Sequence, residues 1–247
     1  MFDSSSPDFG LVFVILLAFY FRRSASTARP SILASPVPVT PVPTLQLVPR
    51  PERSSAPEFD YLNLLAESPT AKCLRVTAFT IALARHYGLT GHEVRVIAWA
   101  AYLRGVGYSG IPPEILHKQG PLTLAELRIK RGHCEHGYKI LRKVTRLAAS
   151  AEIVHAQHER WDGSGYPKRL RGEEIPLGAR LLAVAEMLES ITSRSGRSPS
   201  QAIAVARWEI ELSSGHRLDP ECVQMFLNMP TRIWSDLRRE IGGRTPV

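Results

Sequence analysis

From residue 68 onward the chain is divided by helix starts and stops, and no stretch of it sustains the two-residue alternation of a strand. Ser68-Pro69 reads as an N-cap followed by proline in the first turn. Behind it, Val76, Phe79, Leu83 and Tyr87 recur at helical spacing, and Gly88 is placed to end the helix. Thr90 with Glu93 and Thr123 with Glu126 have the spacing of capping boxes. Ser198-Pro199 and Asp219-Pro220 repeat the cap-then-proline signature. The prediction is an all-α body of about seven or eight helices over residues 58–247, without internal repeats. A chain of 247 residues that is 44% hydrophobic can bury a core of that size.

Two stretches precede this body. Residues 9–21 (FGLVFVILLAFYF) are uninterruptedly apolar, follow Asp3 and Asp8, and are closed by Arg22-Arg23. Positive charge on the far flank is the reverse of a secretory signal, and predicts an anchor over 1–23 with the body in the cytoplasm. Thirteen helical residues reach about 20 Å against a hydrocarbon core of about 30 Å, so snorkelling arginines and local thinning must make up the difference. Residues 24–57 alternate proline with valine and threonine, which disfavours helix and predicts an extended tether of at most roughly 100 Å.

The net charge of +8 favours an anionic neighbour such as a phosphate or a lipid head group. The basic residues are scattered and carry no interleaved aromatics, which argues against a nucleic-acid groove. Cys73, Cys134 and Cys222 contain no C-x-x-C pair, so neither a disulfide framework nor a zinc ribbon is expected. Cys134 adjoins His133, but an isolated pair of this kind assigns no site.

Two segments interrupt the helical rhythm, Gly105–Pro121 and Arg160–Pro176. Long glycine-rich excursions in a compact helical domain tend to carry function. The second, within HERWDGSGYPKRLRGEEIPLGARLLAVAEMLESITS, closely resembles the signature region of the HD-GYP family. The resemblance runs from about Ser68 to Phe226 and takes in IPPEILHKQGPLT, GHCEHGYKIL and LDPECVQMF. It implies an HD-domain helical bundle that holds two or three divalent metal ions and hydrolyses cyclic-di-GMP. The GYP loop of Asp162, Gly163, Gly165, Tyr166 and Pro167 is intact. By resemblance it lies beside the active site and can meet a GGDEF-type partner. Trp161 is expected to pack on the bundle.

The departures from the family pattern are concentrated on its metal ligands. Lys72 stands where the first histidine is expected, and Arg104-Gly105 stand where the His-Asp pair is expected, with Tyr108 in place of a lysine. Gln157 replaces the first of an adjacent histidine pair. His133, His158 and Glu186 remain as ligand candidates. Ammonium and guanidinium groups have no lone pair to offer a cation, and Gly105 removes a bridging carboxylate. The expectation is therefore no cofactor, or at most one divalent ion, and no ordinary catalysis. Lys72 or Arg104 can pair with Glu186 instead, and together with Lys118, Arg180 and Tyr166 can bind cyclic-di-GMP or another phosphate ligand. The alternative is a phosphohydrolase with a reduced one-metal site, assisted by His136 or His155, with Glu189 one helical turn beyond Glu186.

Overall fold

The computed structural model describes residues 71–194 and 198–242. The apolar segment 9–21, the Pro-rich stretch 24–57 and the Ser68-Pro69 start signal lie outside the described residues. Among the described residues the chain is all-helical. Its order is α1 (Ala71–His86), α2 (Gly91–Leu103), the one-turn α3 (Pro113–Leu116), α4 (Leu124–Arg131), α5 (His133–Leu141) and α6 (Ala148–His155). Then come α7 (Leu177–Thr192), α8 (Pro199–Leu212), α9 (Pro220–Asn228) and α10 (Thr231–Gly242). The additional short helices bring the tally slightly above the seven or eight expected. No described helix is long and apolar enough to cross a membrane.

The boundaries follow from local chemistry. Gly88 closes α1 at φ +98°, a conformation that side chains with a Cβ avoid. The Thr90 N–H donates to Glu93 3.4 Å away, and the Thr123 N–H donates to Glu126 at 2.7 Å. Ser198 Oγ accepts from the Gln201 N–H, and Asp219 accepts from the Glu221 N–H. Each cap takes up backbone donors that the first turn of a helix leaves unpaired.

Helices α1 and α7 form the centre, and α1 packs against α2, α7 and α10. Every residue of α1 from Val76 to Ala84 is buried, as befits a helix enclosed on all sides. Its two buried threonines are satisfied internally: Thr77 donates to the Cys73 carbonyl at 2.9 Å, and Thr80 to the Val76 carbonyl at 2.7 Å. Trp234 on α10 is fully buried, edge-on to Phe79 and tilted against Phe226.

Glu189, also fully buried, accepts bonds from Arg75 on α1 (2.8 and 3.0 Å), Arg238 on α10 (3.0 Å) and Ser193. That carboxylate ties three helices together and has no spare capacity for a metal. It is therefore not available to the rebuilt one-metal site that the sequence offered as an alternative.

The Gly105–Pro121 excursion contains a 3-10 turn, Val106–Gly110, that packs against α5. A Cβ on Gly107 would lie 1.9 Å from the His133 carbonyl oxygen, so only glycine permits this approach. The approach sets the start of α5, and with it His133, against the end of α2.

Candidate functional site

The C-terminus of α2, the Val106–Gly110 turn, the first residues of α5, the end of α6 and the middle of α7 meet around two histidines. His133 opens α5, and its Nδ1 lies 2.8 Å from the Lys130 carbonyl. A carbonyl only accepts, so Nδ1 carries the hydrogen and Nε2 of the neutral ring presents a lone pair. That Nε2 is 3.2 Å from His158 Nε2. Tyr108 stacks on the His133 ring with centroids 4.2 Å apart, and Tyr166 stacks on His158 at 5.1 Å. Arg131 lies over the Tyr166 ring at 4.9 Å.

Both imidazoles are held neutral at pH 7. Burial depresses the pKa of His133. Burial, followed by the charges of Arg217 and Arg104, brings His158 down to about 4. Cys134 Sγ lies 3.6 Å from His133 Nε2, fully buried, and burial pushes its thiol up to about 12. The donor atoms of His133, Cys134 and His158 all fall within 4.8 Å of one another. Sequence reasoning assigned no site to the His133-Cys134 pair. The structure brings the two together because the His133 ring turns back toward Lys130, which leaves its Nε2 beside Cys134 Sγ.

Arg104 Nε donates to Glu186 Oε1 at 3.0 Å, and Arg104 Nη1 donates to the Ala101 carbonyl at 2.9 Å. The two expected partners of Glu186 are thus separated. Arg104 makes the contact, while Lys72 is exposed and acts on Glu186 only at longer range. Burial raises the Glu186 carboxyl above its ordinary pKa, opposed by Arg104, Arg217 and Lys72. Gln157 is buried and donates to the Arg104 carbonyl at 3.1 Å.

The other sequence candidates lie in different surroundings. Lys118 is bound by Glu126 at the start of α4. Arg180 donates to Asp219 at 2.7 Å and to the Ile175 carbonyl at 2.9 Å, and lies over the Trp161 ring. These bonds hold α7 to the start of α9. His155 is buried against Tyr138, with Nε2 2.8 Å from a Glu135 oxygen, and His136 packs on Gly110. Neither joins the His133 cluster. Sequence reasoning also missed Arg217 and Arg131, whose cationic groups stand beside the histidine and tyrosine rings without any motif to announce them.

The GYP loop is built around a carboxylate. Buried Glu159 accepts from the Lys168 N–H at 2.7 Å and the Leu170 N–H at 3.1 Å. Asp162 accepts from both the N–H and the hydroxyl of Ser164. Gly165 passes so close to Glu159 and Arg160 that a Cβ would stand 2.4 Å from the Arg160 nitrogen. The backbone of Trp161 and Asp162 donates to Arg217 and His216, fastening the loop to the turn before α9. Tyr166, expected as the partner-facing residue, turns its ring inward onto His158. Ser164, Pro167, Lys168 and Arg169 are the exposed members.

Comparison with known proteins accords with this geometry. Residues 58–222 match the HD domain family. A cyclic di-GMP phosphodiesterase of Thermotoga maritima is 36% identical over 187 residues, covering 73% of this chain and 51% of the relative. A 3′3′-cGAMP-specific phosphodiesterase 2 of Vibrio cholerae is 35% identical over 155 residues, covering 62% and 30% respectively. The chain thus spans about half or less of the length of these relatives. Among solved structures, a cyclic GMP-AMP specific phosphodiesterase of V. cholerae shares the fold with a TM-score of 0.53 and 20% identity, over 71% of this chain and 49% of that one. An HDGYP protein from Bdellovibrio bacteriovorus does so at 0.50 and 18%, over 66% and 53%. With a match that takes in well over half of its residues, the chain belongs to the HD domain family.

Proposed function

We propose that this chain is a non-hydrolytic, HD-GYP-like signalling module that recognises a phosphate-bearing ligand, with cyclic-di-GMP the first to test. The observation that carries the reading is the 3.0 Å pairing of Arg104 with Glu186. A cation occupies the family's histidine position and takes up the one carboxylate left in the ligand set. Gly105 supplies no bridging oxygen beside it. Two metal ions do not fit such a donor set, so the two-metal activation of water has no support here.

Arg104 and Arg217 act on the neutral His158 ring, Arg131 lies over Tyr166, and Lys72 adds positive charge at longer range. Guanidinium groups grip phosphate oxygens in bidentate fashion. The exposed Pro167, Lys168 and Arg169 offer a separate face, on which the family resemblance would dock a GGDEF-type protein. Residues 9–21 would tether the module at the membrane with its helical body in the cytoplasm. Membrane fractionation of the full chain beside a variant lacking 1–23 tests that part.

Isothermal titration of the full chain with cyclic-di-GMP tests the ligand: heat that disappears in Arg217→Ala is expected, and no heat at high micromolar nucleotide rejects it. Hydrolysis of neither cyclic-di-GMP nor bis(p-nitrophenyl) phosphate is expected. The 3.2 Å approach of His133 and His158 favours one competing reading, a phosphohydrolase with a single ion. An ion there would polarise a phosphoryl oxygen. Metal-dependent turnover with one ion per chain would establish that reading in place of ours.

A further inference from the structure

His133 directs its unprotonated Nε2 at two other donors, His158 Nε2 at 3.2 Å and Cys134 Sγ at 3.6 Å. In a tetrahedral zinc centre with Zn–N and Zn–S bonds of about 2.0–2.3 Å, neighbouring ligand atoms stand roughly 3.3–3.8 Å apart. Two edges of the triangle are therefore close to the required length. The remaining pair lies within 4.8 Å.

The surrounding contacts are those that bound ligands use. The Lys130 carbonyl fixes the His133 tautomer from behind. Gln157 Nε2 stands 4.0 Å from Cys134 Sγ while it donates to the Arg104 carbonyl, an amide placed to donate to a thiolate. Glu186 is excluded from the group by its bond to Arg104.

We propose that His133, Cys134 and His158 form a single zinc site in which a thiolate supplies the negative charge. One soft sulfur and two imidazoles favour zinc over the manganese or iron that carboxylate-rich centres hold. On binding, the Cys134 S–H bond breaks, its proton leaves to solvent, and the sulfur electron pair goes to the metal. One thiolate leaves the centre with a single net positive charge. Three protein ligands leave a fourth position for water or a ligand phosphate oxygen. The assignment does not depend on whether cyclic-di-GMP binds.

Cobalt(II) loaded into the chelator-stripped full chain reads the site without any activity. One cobalt per chain is expected, with a thiolate-to-cobalt charge-transfer band in the near ultraviolet that stoichiometric zinc abolishes. Cys134→Ser should remove the band and weaken metal binding at least about tenfold. Cys222→Ser, a thiol bonded to Asp219 elsewhere, should leave both unchanged. Far-UV circular dichroism of the metal-free Cys134→Ser chain checks its fold. Should it fail to fold, His158→Gln at the more exposed ring replaces it and should weaken binding comparably. The proposal is overturned by no bound cobalt, by two ions per chain, by cobalt without the band, by a band that survives Cys134→Ser, or by full-strength binding in His158→Gln.

Discussion

Replacing Arg104 with methionine isolates the ion pair on which the functional reading rests. The substitution keeps an apolar stem but strips Glu186 of the guanidinium 3.0 Å away, leaving only the more distant Arg217 and Lys72. The side chains are 14% and 24% exposed, so the pair is neither dry nor freely solvated. Removing one partner of a fully buried pair costs about 3–5 kcal/mol, and the residual exposure places this one near ~3 kcal/mol. Protonation of Glu186 sets a ceiling. Carrying a carboxyl with an unfolded pKa of 4.5 as the acid at pH 7 costs about 3.4 kcal/mol, from about 1.36 kcal/mol per pH unit.

The pH dependence has a definite sign. Loss of Arg104 raises the folded pKa of Glu186, and a raised folded pKa means stability that is present at low pH and lost as pH rises. Relief of His158 from the Arg104 charge acts in the same direction, since the variant then tolerates acid better than the parent. Thermal melts of parent and Arg104→Met at pH 7 should differ by about 6–12 °C, at about 2–4 °C per kcal/mol for a domain of this size. At pH 4.5 the gap should shrink to that of the lost Ala101 carbonyl bond, about 1 kcal/mol. An equal gap at both pH values would refute the electrostatic account and assign the loss to packing alone.

Other consequences can be checked directly. Gly107→Ala forces a Cβ onto the His133 carbonyl and should cost at least about 3 kcal/mol, read by urea denaturation. Glu159→Gln keeps one acceptor for two backbone donors, so it should cost about 1.5–3 kcal/mol and speed hydrogen exchange at Lys168 and Leu170. His158, with its pKa near 4, should show no imidazole titration by NMR between pH 8 and 5.5. Because that pKa is depressed, stability should fall as pH drops below about 6.5 toward 4. Arg104→His alone should restore no phosphodiesterase activity, since Gly105 still lacks the carboxylate; turnover of bis(p-nitrophenyl) phosphate would contradict this.

Much of the helical framework was legible because it is encoded locally. A capping box joins residues three apart, and the Thr90, Thr123, Ser198 and Asp219 caps all fall where their spacing placed them. The site was legible only in part, because its contacts are distant in sequence. Opposite charge allowed Glu186 two partners; only the path of α2 brings Arg104 rather than Lys72 to it. Glu186 and Glu189 have the same one-turn spacing, yet one faces the histidines and the other is neutralised between Arg75 and Arg238. Cys134 was set aside because an isolated His-Cys pair has no ligand spacing to distinguish it from coincidence. At the first residue of α5 the His133 ring is free to fold back. Arg131, the last residue of α4, and Arg217, on the turn before α9, are exposed cations that look in sequence like any solvated surface.

Glu189 and Trp234 have a practical bearing on where this domain can be cut. The family match ends at residue 222, which invites truncation there. A chain ended at that point would uncover Phe79 at the middle of the central helix and leave a buried carboxylate with one arginine instead of two. Residues 231–242 thus behave as a lid fastened by one indole and one guanidinium, and any minimal version of the molecule has to carry them.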